Sequence, residues 1–379
     1  MAMRRDAIVR RPNSSYSSRA SSAQKLSDVT GPIESIEDTP TAAAVWPVPQ
    51  KPGNNLWKNA EAFFDRRTAG YTYLKMPDGE SLAFRSFRDP QGAAPSADYQ
   101  PSPVIRIREG QQAQIRLETH RRKHHHSGNK GLSVHGQHGS KGVCLETAET
   151  QTYQWQPRSA GTWFYQSHAS TPLQFEMGLF GVIVVDAEPD HSGRPRAYRN
   201  GPGYDIERIW VFDDVDPSWH RQDLEGVCDG NRGVTFNPKY FLINGVPNTE
   251  ALHHPDVAVE AKLGDKVLLR LMNASFSLVK VEIEKLKADI ISVDGNALGS
   301  EERPWTHWIP VSPSQPVRLA TACRHDLLID LDPATGSIGG PGEYKVTIEF
   351  LDGARRQVQN AGAKHPAHVG RATTTIRVL

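Results

Sequence analysis

Cysteine is nearly missing: the 379 residues hold three, Cys144, Cys228 and Cys323, an odd number with no Cys-x-x-Cys pair. That argues against a disulfide framework and against a thiolate metal site, and leaves the thiols as small buried hydrophobes. Charge of one sign is also missing. Forty-four basic side chains face 43 acidic ones, for a formal net charge of +1, so no global field draws the chain to nucleic acid or to an anionic membrane. No apolar run approaches the ~18 residues a membrane-spanning helix needs. Neither Gly-x-Gly-x-x-Gly nor Gly-x-x-x-x-Gly-Lys-Ser/Thr occurs, which removes the common nucleotide cradles. The opening Met1-Ala-Met-Arg-Arg-Asp-Ala-Ile-Val-Arg-Arg-Pro is basic but lacks the apolar stretch of a secretory signal.

What the chain has instead is short period-2 runs between Gly, Asp and Asn turns, the pattern of β-sandwiches with few helices. Residues 1–45 are rich in Ser, Ala, Arg and Thr and too poor in large apolar groups to offset ordering entropy, so a disordered tail is expected there. A first domain is expected over 46–186. Within it, Asn59–Phe64 could make a helical turn, while Gly70–Met76 and Ser81–Phe84 read as strands around Asp78-Gly79. Pro103–Arg108 and Ala113–Leu117 alternate Ile, Val and Leu with charge. The Pro/Gly/charge-rich stretch 187–203 reads as a linker, and 204–379 as a second domain. Its strand-bearing segments are expected at Glu207–Asp214, Tyr240–Gly245, Gly264–Ser275, Ile290–Gly295, Arg324–Asp330, Gly342–Phe350 and Thr373–Leu379, with a polar excursion between Val215 and Pro238.

The chemistry-bearing segment is Gly161-Thr-Trp-Phe-Tyr-Gln-Ser-His168, followed by a loop and Gly178-Leu-Phe-Gly181. Upstream lies Val134-His135-Gly-Gln-His138-Gly139. Seven of the fifteen histidines fall in the 49 residues from His120 to His168. Together these segments resemble the first domain of the multicopper oxidases, and Tyr240–Gly245, Gly264–Ser275, Ile290–Gly295 and Arg324–Asp330 resemble the second. The resemblance implies an all-β fold of two cupredoxin-like Greek-key sandwiches, and copper held by His135, His138 and His168. It departs from the family pattern in three places. Gln166 stands where the family has a histidine, and Ser167 where two-domain nitrite reductases have cysteine. No His-Cys-His is present to build a blue copper site, which needs a thiolate beside two imidazoles.

His135 and His138 are three apart where the family spacing is two. On a regular strand they point to opposite faces, so one ion can use both only if Gly136-Gln137 bulges; which of them stands for which family ligand is left open. His124-His125-His126 reads as a solvated loop. His253, His254, His307, His365 and His368 read as exposed loop histidines, one of which could complete a site at an interface. The function implied is a copper-dependent oxidoreductase of multicopper oxidase type without its full catalytic copper set, working with a homo-oligomeric or electron-donor partner. The alternatives are a non-enzymatic cupredoxin scaffold or a copper-binding and delivery protein. No nucleic-acid partner and no membrane span are expected. The family is commonly exported, so the compartment stays open.

Overall fold

The computed structural model describes residues 63–88, 100–119, 132–134, 150–167, 171–224, 236–352, 358–359 and 369–379. The tail expected over 1–45 lies outside them. In chain order the first sandwich contains β1 (Phe63–Lys75), β2 (Ser81–Arg88), β3 (Ser102–Arg108), β4 (Ala113–Thr119), β5 (Leu132–Val134), β6 (Thr150–Trp155), β7 (Gly161–Ser167), the short helix α1 (Thr171–Glu176) and β8 (Phe180–Asp186). They make two four-stranded sheets, β2-β1-β4-β6 and β3-β8-β7-β5. β1 runs parallel to β4 and β3 parallel to β8, so distant segments close the layers. Ile105, Ile107, Ile115, Leu117, Trp163 and Tyr165 fill the space between them. The helical turn expected over 59–64 is strand at its described end, where Phe63 pairs with Ala113; cross-strand pairing overrides local preference.

The second sandwich contains β9 (Ile206–Val215), α2 (Pro217–Leu224), β10 (Tyr240–Ile243), β11 (Val246–Pro247), β12 (Val259–Ala261), β13 (Lys266–Asn273), β14 (Leu278–Ile283), β15 (Ala288–Val293), β16 (Asn296–Ala297), β17 (Ile309–Val311), β18 (Val317–Leu319), β19 (Arg324–Asp330), β20 (Gly342–Leu351) and β21 (Arg371–Val378). One sheet runs β11-β10-β9-β13-β19-β15-β16, with β17 also on β15, and the other runs β12-β21-β20-β14-β18. Alternate residues of both sheets, among them Trp210, Leu269, Val281, Leu327 and Phe350, form the largest apolar cluster. The polar excursion after Val215 holds α2. Its start is fixed by Asp216, whose carboxylate accepts from Ser218 N at 2.8 Å, and by Pro217 in the first turn.

The two sandwiches share a continuous seam. Along β7 and β8, Trp163, Tyr165, Ile183 and Val185 face the first core, while Phe164, Phe180, Val182 and Val184 pack on Val211, Met272 and Ala274 of the second. β8 is thus covered on both faces, which is why its sequence is an unbroken apolar run rather than an alternation. A second patch joins Leu74, Met76, Leu82 and Phe84 to Val215, Tyr240 and Leu242. The stretch 187–203 is itself packed here, with Ala197 and Tyr198 buried beside Leu268 and Leu328.

Charged groups cross the seam as well. Arg106 grips Asp186 with two hydrogen bonds of 2.7 and 2.6 Å and reaches Glu207 at 2.6 Å. Arg270 donates to the other Glu207 oxygen at 2.6 Å, to Thr162 at 3.0 Å and to Asp326 at 3.2 Å, and Thr162 also donates to Asp326. Burial alone would raise the Glu207 carboxyl, but Arg270 and Arg106 outweigh it and bring it down to about 2.

Candidate metal centre

The candidate segment of the first sandwich lies between the end of β7 and the start of β8 and includes α1. β7 pairs antiparallel with β5, setting Leu132 opposite Ser167, Ser133 opposite Gln166 and Val134 opposite Tyr165. Successive residues of a strand alternate faces. Gln166 therefore lies on the face of Thr162 and Phe164, which look to the second sandwich, and Ser167 on the face of Trp163 and Tyr165, which look into the first core. Gln166 is half-buried, and Ser167 is buried with its hydroxyl donating to the Gln174 side-chain oxygen.

That bond brackets the three residues before α1. The helix begins at Thr171-Pro172, with proline in the first turn where its missing N–H costs nothing. It ends at Gly178, whose φ of +95° is the left-handed region that favours glycine. A side chain at Gly178 would also collide with the buried Gln100 amide, since an added Cβ would lie 2.4 Å from Oε1. Leu179 N donates to Gln174 O at 3.0 Å and Ser167 N to Leu179 O at 2.9 Å, so α1 is pinned at both ends.

The sequence-predicted ligands His135, His138 and His168 lie outside the described residues, as do His120, His124, His125, His126, His365, His368, Cys144 and Cys228. What is described is where their segments attach. His135 follows Val134, opposite Tyr165, and His168 follows Ser167, opposite Leu132. Antiparallel strands leave in opposite directions, and these two exits are two rungs apart, roughly 7 Å along the sheet. Convergence on one ion requires the chain to turn back after β5 or after β7. Among the described residues no group of three or more His, Cys, Asp or Glu side chains could hold a metal ion.

The donor chemistry at the motif can be tested position by position. Gln166 offers an amide, a poor copper ligand beside an imidazole, and the Ser167 oxygen is engaged with Gln174. Cys323, the described thiol, is half-buried, and burial with the nearby Asp294 pushes it up, so it keeps its proton. The described residues do not fit a blue copper centre. His253 and His307 are exposed, and His254 is half-buried with Nδ1 accepting from Asp256 N at 3.3 Å.

A second polar cluster lies on the other side of α1. Glu176, Asp213, Asp214 and His220 are all buried where α1, β9, α2 and β2 meet. Asp214 accepts from Phe276 N at 2.8 Å, Ser277 N at 3.1 Å and the Ser277 hydroxyl. Burial still pushes it up to about 6 against those hydrogen bonds. Asp213 is raised further by burial, Glu176 and Asp214; it lies against Gln100, yet its Oδ2 has no aligned partner among the described residues. Sequence reading missed this cluster. Its one signal was acidic residues inside apolar runs, Glu176 between Phe175 and Met177 and Asp213-Asp214 between Phe212 and Val215.

Comparison with known proteins agrees with this geometry. Residues 94–190 match the family model described as multicopper oxidase. Copper resistance protein A of Escherichia coli is 28% identical over 275 residues, 61% of this chain and 41% of that protein; the chain spans less than half the length of this curated relative. Among solved structures, Fet3p, a multicopper oxidase that functions in iron import, superposes with a TM-score of 0.59 at 17% identity, over 84% of this chain and 52% of its own. The blue copper oxidase from Nitrosomonas europaea gives 0.59 at 18% identity, over 84% and 86%. The copper nitrite reductase from Nitrosomonas europaea gives 0.55 at 15%, over 84% and 94%. Residues 94–190 are thus similar to the multicopper oxidases, and the fold is an all-β pair of cupredoxin-like sandwiches, with glutamine and serine at positions 166 and 167.

Proposed function

We propose that the chain is a copper-binding protein of multicopper oxidase type that does not carry out the four-electron reduction of dioxygen by itself. The observation that carries this reading is the engaged, buried Ser167 beside Gln166. The motif strand and its helix are retained and tightly hydrogen-bonded, while the side chains at the two positions that would widen the donor set are an amide and a tied hydroxyl. His135, His138 and His168 are the residues that would hold the ion. Bound there, copper would supply a Lewis acid and a one-electron couple. An electron-donor partner or a second copy of the chain would have to deliver electrons, because the sequence has no His-Cys-His to build an entry site.

A second reading, a cupredoxin scaffold without copper, draws support from the ladder, whose described ends, Val134 and Ser167, lie at opposite ends of the antiparallel pair. Calorimetric titration with Cu(II) separates the two. The copper reading expects one ion per chain, lost in His168→Ala and retained in His125→Ala, with no intense band near ~600 nm. Equal uptake by wild type and His168→Ala, or no uptake at all, favours the scaffold.

A further inference from the structure

The acidic cluster beside α1 contains a histidine whose two ring nitrogens are both directed. His220 lies one turn into α2, buried, with its ring edge-on to Phe84 at 4.5 Å between centroids. Its Nδ1 is 2.7 Å from the Ala83 carbonyl oxygen of β2. A carbonyl only accepts, so Nδ1 carries a proton. Nε2 lies 3.5 Å from Oε1 of the Glu176 carboxyl of α1, in contact but without an aligned hydrogen bond, and the same oxygen accepts from Asp216 N at 2.7 Å. One imidazole from the second half of the chain thus reaches two elements of the first sandwich.

The groups around this pair set its charge. β9 contributes Asp213 and Asp214, the start of α2 contributes Asp216, and β2 contributes Arg85, whose backbone N–H donates to Met177 O at 2.6 Å. At the solvent side Glu80 is paired with Arg221 and Lys239. The charges that act on Glu176 are acidic, so ionising it would put a carboxylate beside Asp214 in a dry seam.

We propose that Glu176 and His220 form a proton-linked clasp: the Glu176 carboxyl keeps its proton and donates it to His220 Nε2, locking α2 onto α1 and β2. Deprotonation by solvent leaves a carboxylate facing a neutral ring nitrogen, two acceptors in contact, and the clasp opens. Burial first, then Asp214, pushes the Glu176 carboxyl well above the usual glutamate range, against the pull of the Asp216 N–H. An acid whose folded value is raised stabilises most below its unfolded value, and that stability is lost as pH rises towards the folded value.

The test compares urea unfolding of the full chain and of Glu176→Gln between pH 5 and 10. Glutamine retains an oxygen for Asp216 N–H, but it has no acidic proton and does not titrate. The unfolding equilibrium constant of wild type relative to the variant should grow about tenfold per pH unit, then level off where the clasp opens. A ratio independent of pH overturns the proposal. Should Glu176→Gln fail to fold, infrared difference spectra of wild type with isotope-labelled glutamate carboxyls decide the matter. A label-sensitive protonated-acid band at pH 7 supports the clasp, and its absence overturns it.

Discussion

The seam buries two polar clusters of similar size that solve the same problem in opposite ways. Around Glu207, three carboxylates are matched by two guanidiniums, Arg106 and Arg270, with bonds of 2.6–2.7 Å to Asp186 and Glu207. Glu207 is held ionised, down to about 2, though it is fully buried. Around Glu176, three acids meet one histidine, and burial pushes all three up. One guanidinium is not enough to offset burial, since Asp186 beside Arg106 and Asp326 beside Arg270 are still pushed up; Glu207, held by both, is the acid brought down. β7 joins the two regions, with Thr162 in the first cluster and Ser167, through Gln174, tied to the helix that carries Glu176.

The largest effect should come from breaking the balanced cluster. Arg270→Met removes the guanidinium shared by Glu207, Asp326 and Thr162, and leaves Glu207 to Arg106 and Asp326 to the Thr162 hydroxyl. We expect a loss of about 3–5 kcal/mol in urea unfolding. A loss under about 1 kcal/mol would show that the network reorganises and that the contrast between the clusters is shallow.

Glu207 and Asp214 should bend the pH profile in opposite directions. Glu207 has a depressed folded value, so its contribution is present above the ordinary glutamate range and is lost as pH falls from about 4.5 towards about 2, by about 3 kcal/mol. Asp214 has a raised one, so stability falls as pH climbs from about 4 to about 6 and is level beyond. Asp214→Asn should flatten that descending limb and leave the acid limb untouched; Arg270→Met should do the reverse. Unfolding midpoints from pH 2 to 8 measure both, and an Asp214→Asn profile parallel to wild type would count against the assignment.

Much of this architecture was legible in the chain. The alternation at Pro103–Arg108 and Ala113–Leu117, and the segments Tyr240–Gly245, Gly264–Ser275, Arg324–Asp330 and Gly342–Phe350, hold strands where expected, because period-2 burial is written directly into a sandwich. The expected strand Arg324–Asp330 also carries Asp326, which accepts from Arg270 at 3.2 Å. Glu176 and His220 were not legible. They are far apart in sequence and meet only because α1 and α2 pack across the seam, so no spacing rule connects them. Gln100 was equally hidden: its backbone oxygen would lie 2.1 Å from a Cβ at Gly245, so the closeness of the two halves is recorded only as a glycine.

A smaller effect should follow from cutting the link between the clusters. Ser167→Ala leaves the buried Gln174 oxygen without its hydroxyl donor, which should cost about 1–3 kcal/mol. Because Ser167 lies near the uncompensated cluster, this loss should be insensitive to Arg270→Met: the double variant should equal the sum of the singles within about 0.5 kcal/mol. A larger coupling would mean that β7 transmits strain between the clusters.

The smallest structural effect, and the sharpest chemical one, is expected at Gln166. Its side chain is half-buried on the face that Thr162 and Phe164 turn to the second sandwich. Exchange for histidine keeps size and polarity roughly constant, so stability should change by no more than about 1 kcal/mol. Copper affinity should respond much more, since an imidazole replaces an amide on a strand already fixed by its pairing with β5 and β8. Gln166→His should tighten Cu(II) binding at least tenfold, about 1.4 kcal/mol, in a calorimetric titration, and His168→Ala in the same background should remove the gain. If Gln166→His binds copper no better than wild type, the face carrying residue 166 does not look into the histidine site, and the amide is there to fill the seam.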